Sequence, residues 1–192
     1  MLSLLSMLGM MVLISANSLL TLYLGLELMS LPLYAMVALK RFKERCIEAA
    51  LKYFVMGALA SGLLLYGCSL IYGFTGSTNF DVISENILNS EYGNVFGIVF
   101  ILVGLSFKIS AVPFHMWAPD VYEGSPTPTT LLLASAPKLA AIAMTARLLI
   151  LGFEEFLAGW QQILVVLSIF SIFFGSIAAI AQTNIKRLLA YS

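Results

Sequence analysis

The sequence predicts an all-α membrane protein: a polytopic transmembrane helix bundle in which one helix is discontinuous. Three observations carry this reading. Apolar runs follow one another along almost the whole chain, and 60% of its 192 residues are hydrophobic. Only 10% are charged, against roughly 25% in an average soluble domain, and mean hydropathy is +0.97. One stretch, Gly104 to Ala141, breaks the pattern. It holds Pro113, Pro119, Pro126 and Pro128, which cannot share one continuous helix, and it is flanked by Lys108 and Lys138 in apolar surroundings.

A membrane helix needs about 20 apolar residues. The first segment, Leu2–Ser15, is short, and Asn17 and Ser18 mark a tight turn. The second, Leu19–Leu39, carries Glu27 near its middle, and Pro32 predicts a local bend. The run Lys40-Arg41-Phe42-Lys43-Glu44-Arg45 is the most basic loop. The third segment, Ile47–Phe74, has Glu48 and Lys52 in its first turns. Thr75–Asn94 reads as a polar loop with Asp81, Glu85 and Glu91 and no basic residue. The fourth segment, Val95–Ile109, ends on Lys108, and a short amphipathic piece follows around Phe114–Tyr122, so the broken helix occupies about 95–123. The fifth, Pro128–Leu151, has Lys138 at its centre, and Glu154 and Glu155 fill the next loop. The sixth, Trp160–Ala181, is closed by Lys186 and Arg187. Residues 1–192 thus form a single transmembrane domain. Ile185–Ser192 reads as the first turns of a further helix, so the chain is expected to be a piece of a longer protein. Met1–Ser15 lacks the basic start and cleavage site of a secretory signal.

Lysine and arginine set the orientation. Lys40, Arg41, Lys43, Arg45, Lys186 and Arg187 fall on one side, while Asp81, Glu85, Glu91, Glu154 and Glu155 fall on the other. The basic loops are therefore expected to be cytoplasmic, together with Gly124–Pro126. Cys46 and Cys68 lack a second thiol or histidine at metal spacing, so free thiols and no metal are expected.

Charges inside hydrocarbon are expensive and are functional by default. Glu27 is either a carboxylic acid kept neutral by burial or the charged partner of a lysine. Lys108 lies about 20 Å into its segment at 1.5 Å per residue. It either snorkels to an interface or faces a wet interior, and the break beside it favours the latter. Lys138 is too deep to snorkel, and Pro137 before it removes a backbone donor. Lys52 either faces the cytoplasm as an ordinary lysine or joins the path. His115 either relays protons near neutral pH or caps polar backbone. Arg147 reads as an interface anchor. Asp120 and Glu123 read as caps that pair with cytoplasmic charges, and Trp117 and Tyr122 as packing for the re-entrant piece.

Burial favours a neutral lysine and a nearby carboxylate favours a charged one. A lysine between the two influences loads or releases a proton as its partner approaches or withdraws. Glu27 and Lys108 form such a control pair in this reading, with Lys138 as the central station. The sequence holds no GxGxxG, Walker loop, CxxC or haem-type histidine pair. No cofactor or redox centre is therefore expected in this chain, and no nucleic-acid partner.

The motifs LTLYLGLELMSLPLYA, EAALKYFVMGALASGLLLYG, GLSFKISAVPFHMWAPDVYEGSPTP, APKLAA and QTNIKRLLAYS resemble the antiporter-like proton-pumping subunits of respiratory complex I, the NADH–quinone oxidoreductase. The resemblance runs from about Asn17 to the end. It implies an inverted-repeat fold, with 2–151 as the first five-helix repeat and 160–192 as the start of the second. It implies proton-translocating roles for Glu27, Lys52, Lys108 and Lys138. It also implies that NADH and quinone are substrates of the whole complex. Other membrane subunits, antiporter-like and small helical ones, would be partners in a bacterial inner membrane. The alternative is a subunit of a multi-subunit Na+/H+ antiporter without redox coupling, and the DVYEG form favours complex I by resemblance. A structural scaffold with fossil charges is a third reading, in which Lys138→Met would be neutral.

Overall fold

The computed structural model describes residues 1–40, 42–87 and 91–192, excluding the side chains of residues 91 and 92. Arg41 and the Glu91 carboxylate therefore lie outside the described residues. Helix α1 (Leu2–Ser15) and helix α2 (Leu19–Val37) form an antiparallel hairpin. Two glycines let the helices approach closely. A Cβ on Gly25 would sit 2.7 Å from the Leu13 nitrogen, and one on Gly9 would sit 2.6 Å from the Leu28 carbonyl carbon. Small residues at crossings are how membrane helices gain van der Waals contact without a hydrophobic drive between them. Ser18 starts α2 through a reciprocal capping box with Thr21. Helix α2 runs through Pro32 without interruption.

Helix α3 (Glu44–Thr75) packs along helix α5 (Glu91–Ile109). Between them lies helix α4 (Phe80–Asn86), in a stretch read from sequence as a polar loop. The Asn79 side chain accepts from the Asp81 amide to cap it. Phe80, Ile83 and Ile87 are all but fully buried beneath it. Those three apolar positions and their cap outweigh the polar composition around them.

The break after α5 is confirmed. Ser110 takes a left-handed φ of 65°. Its amide bonds the Phe107 carbonyl at 3.1 Å, and the Ala111 amide bonds the Ser106 carbonyl at 3.0 Å. That pairing is the Schellman motif, with serine where glycine is usual. Helix α6 (Trp117–Gly124), helix α7 (Thr127–Ala134) and helix α8 (Ala136–Arg147) follow, and a π-helical turn spans Leu148–Gly152. The expected single segment 128–151 is thus divided at Ser135, whose φ and ψ are −114° and −89°. Pro137 is the cause, because it cannot donate to the carbonyl one turn back.

A 3-10 turn (Glu154–Phe156), helix α9 (Leu157–Ile180) and helix α10 (Ile185–Tyr191) complete the order. Helix α9 keeps its apolar surface exposed at the margin, and α10 returns across α6. By length and composition, Leu19–Val37, Glu44–Thr75, Thr127–Gly152 and Glu154–Ile180 can each cross a membrane. Leu2–Ser15 and Gly93–Ile109 are apolar but shorter. Among the described residues there is no β-strand.

The two ends of the bundle match the alternation read from sequence. At one end the Leu19 amide bonds the Thr78 carbonyl (2.8 Å) and the Phe80 amide bonds the Asn17 carbonyl (3.2 Å). There too Arg147 donates to the Ile14 carbonyl at 2.7 Å, satisfying a C-terminal carbonyl of α1. At the other end Arg45, Lys52, Asp120, Glu123 and Arg187 meet in ion pairs.

Candidate functional site

Glu27, Ser30 and Tyr34 share one face of α2, at spacings of three and four residues. Opposite them the last turn of α5 presents Lys108, which is only 6% exposed. Its Nζ donates to Ser30 Oγ at 2.9 Å and to Tyr34 Oη at 3.1 Å. The same Nζ lies 5.5 Å from the centre of the Tyr34 ring and 5.9 Å from that of Phe107. A buried ammonium is costly unless hydrogen-bonded. Here two hydroxyls and two ring faces surround it.

Glu27 is half-buried and accepts a hydrogen bond from Ser61 of α3. The expected control pair therefore takes a different form. Among the described residues no ion pair joins Glu27 to Lys108 within 4 Å. The carboxylate is held by Ser61 and the ammonium by Ser30 and Tyr34, one helical turn apart on α2. The cluster members Ser30, Tyr34 and Ser61 were absent from the sequence reading. The spacing along α2 places Ser30 and Tyr34 on the face of Glu27, but that this face meets Lys108, and that Ser61 of α3 reaches Glu27, follows only from how the helices pack.

Two backbone groups of the break near Lys108 are bound by side chains of other elements. The Phe107 carbonyl accepts from Trp117 Nε1 at 3.0 Å, and the Val112 amide donates to Ser171 of α9 at 3.0 Å. Trp117 stacks on Tyr53 with ring centres 4.6 Å apart and planes 14° apart. Tyr53 meets Tyr34 edge-on at 4.6 Å, and Trp117 meets Tyr122 edge-on at 6.4 Å. At the far end of this column, Lys138 Nζ stands 5.3 Å from the Tyr122 ring centre. Four buried aromatic rings thus run from one lysine to the other. Lys138 itself is half-buried, and no hydrogen bond or ion pair reaches it among the described residues.

Lys52 and His115 lie apart from this line. Lys52 pairs with Glu48 at 2.7 Å and with Asp120 at 2.9 Å. Arg187 binds Asp120 at 2.5 Å and Glu123 at 2.6 Å, and Arg45 lies 3.7 Å from Glu123. These residues line an open cavity of ≈ 370 Å³. The pairing expected of Asp120 and Glu123 with charges at this end is present. The hydrogen bond from Lys52, reinforced by Arg187, holds the Asp120 carboxyl below the usual carboxylate range. Lys186 donates to the Ser125 carbonyl at 2.8 Å. His115 lies in the break 5.9 Å from the Tyr191 ring, and its Nδ1 has no hydrogen-bond partner among the described residues. Cys46 and Cys68 are free thiols.

Residues 16–192 match the family model described as NADH:quinone oxidoreductase/Mrp antiporter, TM. A curated relative, NADH-quinone oxidoreductase subunit N of Pelagibacter ubique (strain HTCC1062), is 61% identical over 187 residues. That match covers 97% of this chain and 40% of the relative, so the chain spans about two-fifths of its curated relatives' length. A chain in the solved respiratory complex I of Thermus thermophilus is 42% identical with a TM-score of 0.87, covering 99% of this chain and 41% of that one. A chain of the Mrp complex from Dietzia sp. DQ12-45-1b has a TM-score of 0.90 at 23% identity, a likeness of fold, covering 99% of this chain and 36% of that one.

Proposed function

Because this chain belongs to the NADH:quinone oxidoreductase/Mrp antiporter membrane family, we propose that it is part of a proton-translocating membrane subunit of a NADH–quinone oxidoreductase. The whole complex would couple NADH oxidation and quinone reduction to proton pumping. The observation that carries the reading is Lys108, buried at a helix break and bound to Ser30 and Tyr34 on the same helix face as Glu27. An ammonium held by neutral hydroxyls can lose its proton without leaving an unpaired acid behind. Glu27, beside it, tunes that exchange through its own charge.

In this reading Glu27, Lys108 and Lys138 are the proton stations. Lys52 and His115 belong to the basic end, where the open charged cavity admits water. Residues 2–151 form the first five-helix repeat and 160–192 begin the second. The chain carries no redox centre, and NADH and quinone are handled by other parts of the complex. Its partners are the other membrane subunits and the lipid bilayer. The membrane is the bacterial inner membrane, with the basic end cytoplasmic, as the split of lysine and arginine supports.

The test is NADH-driven proton uptake in inside-out membrane vesicles, comparing the full-length wild type with Lys138→Ala and checking assembly on a native gel. Loss of uptake with assembly retained supports the reading. Unchanged uptake overturns the role of Lys138. A wild-type protein that never co-migrates with NADH dehydrogenase activity would move the assignment to a Na+/H+ antiporter.

A further inference from the structure

We propose that Tyr122 is a positioning residue for Lys138, its ring face holding the ammonium at the division between α7 and α8. Two contacts of one side chain converge there. In a continuous helix the amide of residue 137 would bond the carbonyl of Leu133. Residue 137 is proline, so that bond cannot form. The Tyr122 hydroxyl reaches the Leu133 carbonyl instead, at a long 3.4 Å. The ring of the same tyrosine lies 5.3 Å from Lys138 Nζ. Tyr122 is fully buried, and its carbonyl is tied to α7 by Thr130 Oγ1 at 3.2 Å. The ring is therefore fixed relative to both half-helices.

The chemistry suits a group that must change charge. Among the described residues no acid and no hydroxyl bonds Lys138, and the contact its ammonium makes is with this ring face. A carboxylate in that place would fix the lysine as a cation. A π face attracts the cation yet neither gives nor takes a proton. It keeps the amine in place and leaves its protonation free to vary.

The proposal rests on the reading of Lys138 as a proton station, and the experiment separates the two. Tyr122→Phe, Tyr122→Leu and Lys138→Ala are introduced into the full-length subunit in the assembled complex, singly and as Tyr122→Leu/Lys138→Ala. NADH-driven proton uptake is read in inside-out vesicles with a dye sensitive to the pH gradient. Tyr122→Phe keeps the ring and is expected to stay within about twofold of wild type. Tyr122→Leu is expected to fall at least about threefold. In the Lys138→Ala background, Tyr122→Leu is expected to cause no further loss. Equal loss in Phe and Leu, wild-type uptake in Leu, or an added loss in the double variant overturns the proposal. If Tyr122→Leu does not assemble, Tyr122→Met, whose unbranched side chain adapts better to the space, is read the same way. Failure of both to assemble marks a purely structural ring and also overturns it. If Lys138→Ala pumps normally, the reading of Lys138 as a station falls first.

Discussion

Lys108 of α5 donates to Ser30 of α2 across 2.9 Å, and Ser30 spends its own hydrogen on the Leu26 carbonyl at 2.6 Å. That second bond fixes the serine rotor, so a lone pair is always turned to the ammonium. Ser30→Ala leaves Lys108 with Tyr34 alone. A hydrogen bond to a charged group contributes about 1.5–3 kcal/mol, so proton uptake in vesicles is expected to fall about tenfold while the complex still assembles. Wild-type uptake in Ser30→Ala would remove Ser30 from the site.

Ser61 of α3 is the only side chain bonded to Glu27 among the described residues. If it sets the carboxylate's position, Ser61→Ala lowers uptake in the wild type and adds nothing to Glu27→Gln, a coupling read from the double-mutant cycle. Additive losses would show that the two residues act separately.

Asp120 joins α3, α6 and α10 through Lys52 and Arg187. Its carboxyl is held below the usual range, chiefly by the bond from Lys52. A depressed folded-state value stabilises fully above the unfolded pKa of about 3.9 and loses that stabilisation as pH falls through the lower, folded value. Amide protection of residues 185–191 is therefore expected to stay constant from about pH 8 to pH 5 and to drop below about pH 4. Asp120→Asn should show weakened protection already at pH 7. Protection in Asp120→Asn equal to wild type at pH 7 would rule out the ion pairs as the fastening.

Ser110 occupies a left-handed conformation at φ 65°, where a side chain costs about 1–2 kcal/mol. Glycine relieves that strain, so Ser110→Gly is expected to raise the thermal midpoint of the purified complex by the equivalent of about 1 kcal/mol. A lower midpoint would mean that the serine hydroxyl matters more than its backbone.

Most of the helical layout was legible because membrane helices advertise themselves by length and hydropathy. The boundaries of α1 match the expectation, and those of α2 and the end of α5 do so within two residues. The break was legible through its prolines. Two features were not. Helix α4 is encoded by an asparagine cap and three buried apolar residues, a signal too short to stand out from a polar neighbourhood. The division at Ser135 lies two residues before the proline that causes it, and the carbonyl partner supplied by Tyr122 comes from another helix. Glu27, Lys108 and Lys138 stand out in the sequence because each is a charge inside an apolar run. Their hydroxyl and aromatic neighbours depend on how α2, α3, α5 and α6 meet, which no local pattern states.

The column of Tyr34, Tyr53, Trp117 and Tyr122 links the two lysines by buried rings in successive contact. Its rings are polarizable but hold no mobile charge. Such a column behaves like the insulating slab of a capacitor, with one ammonium on each plate. Discharging either plate is felt at the other as a change of voltage, because low-dielectric surroundings screen poorly. In the proposed function the two lysines would thus sense each other's charge through that slab without a proton crossing it.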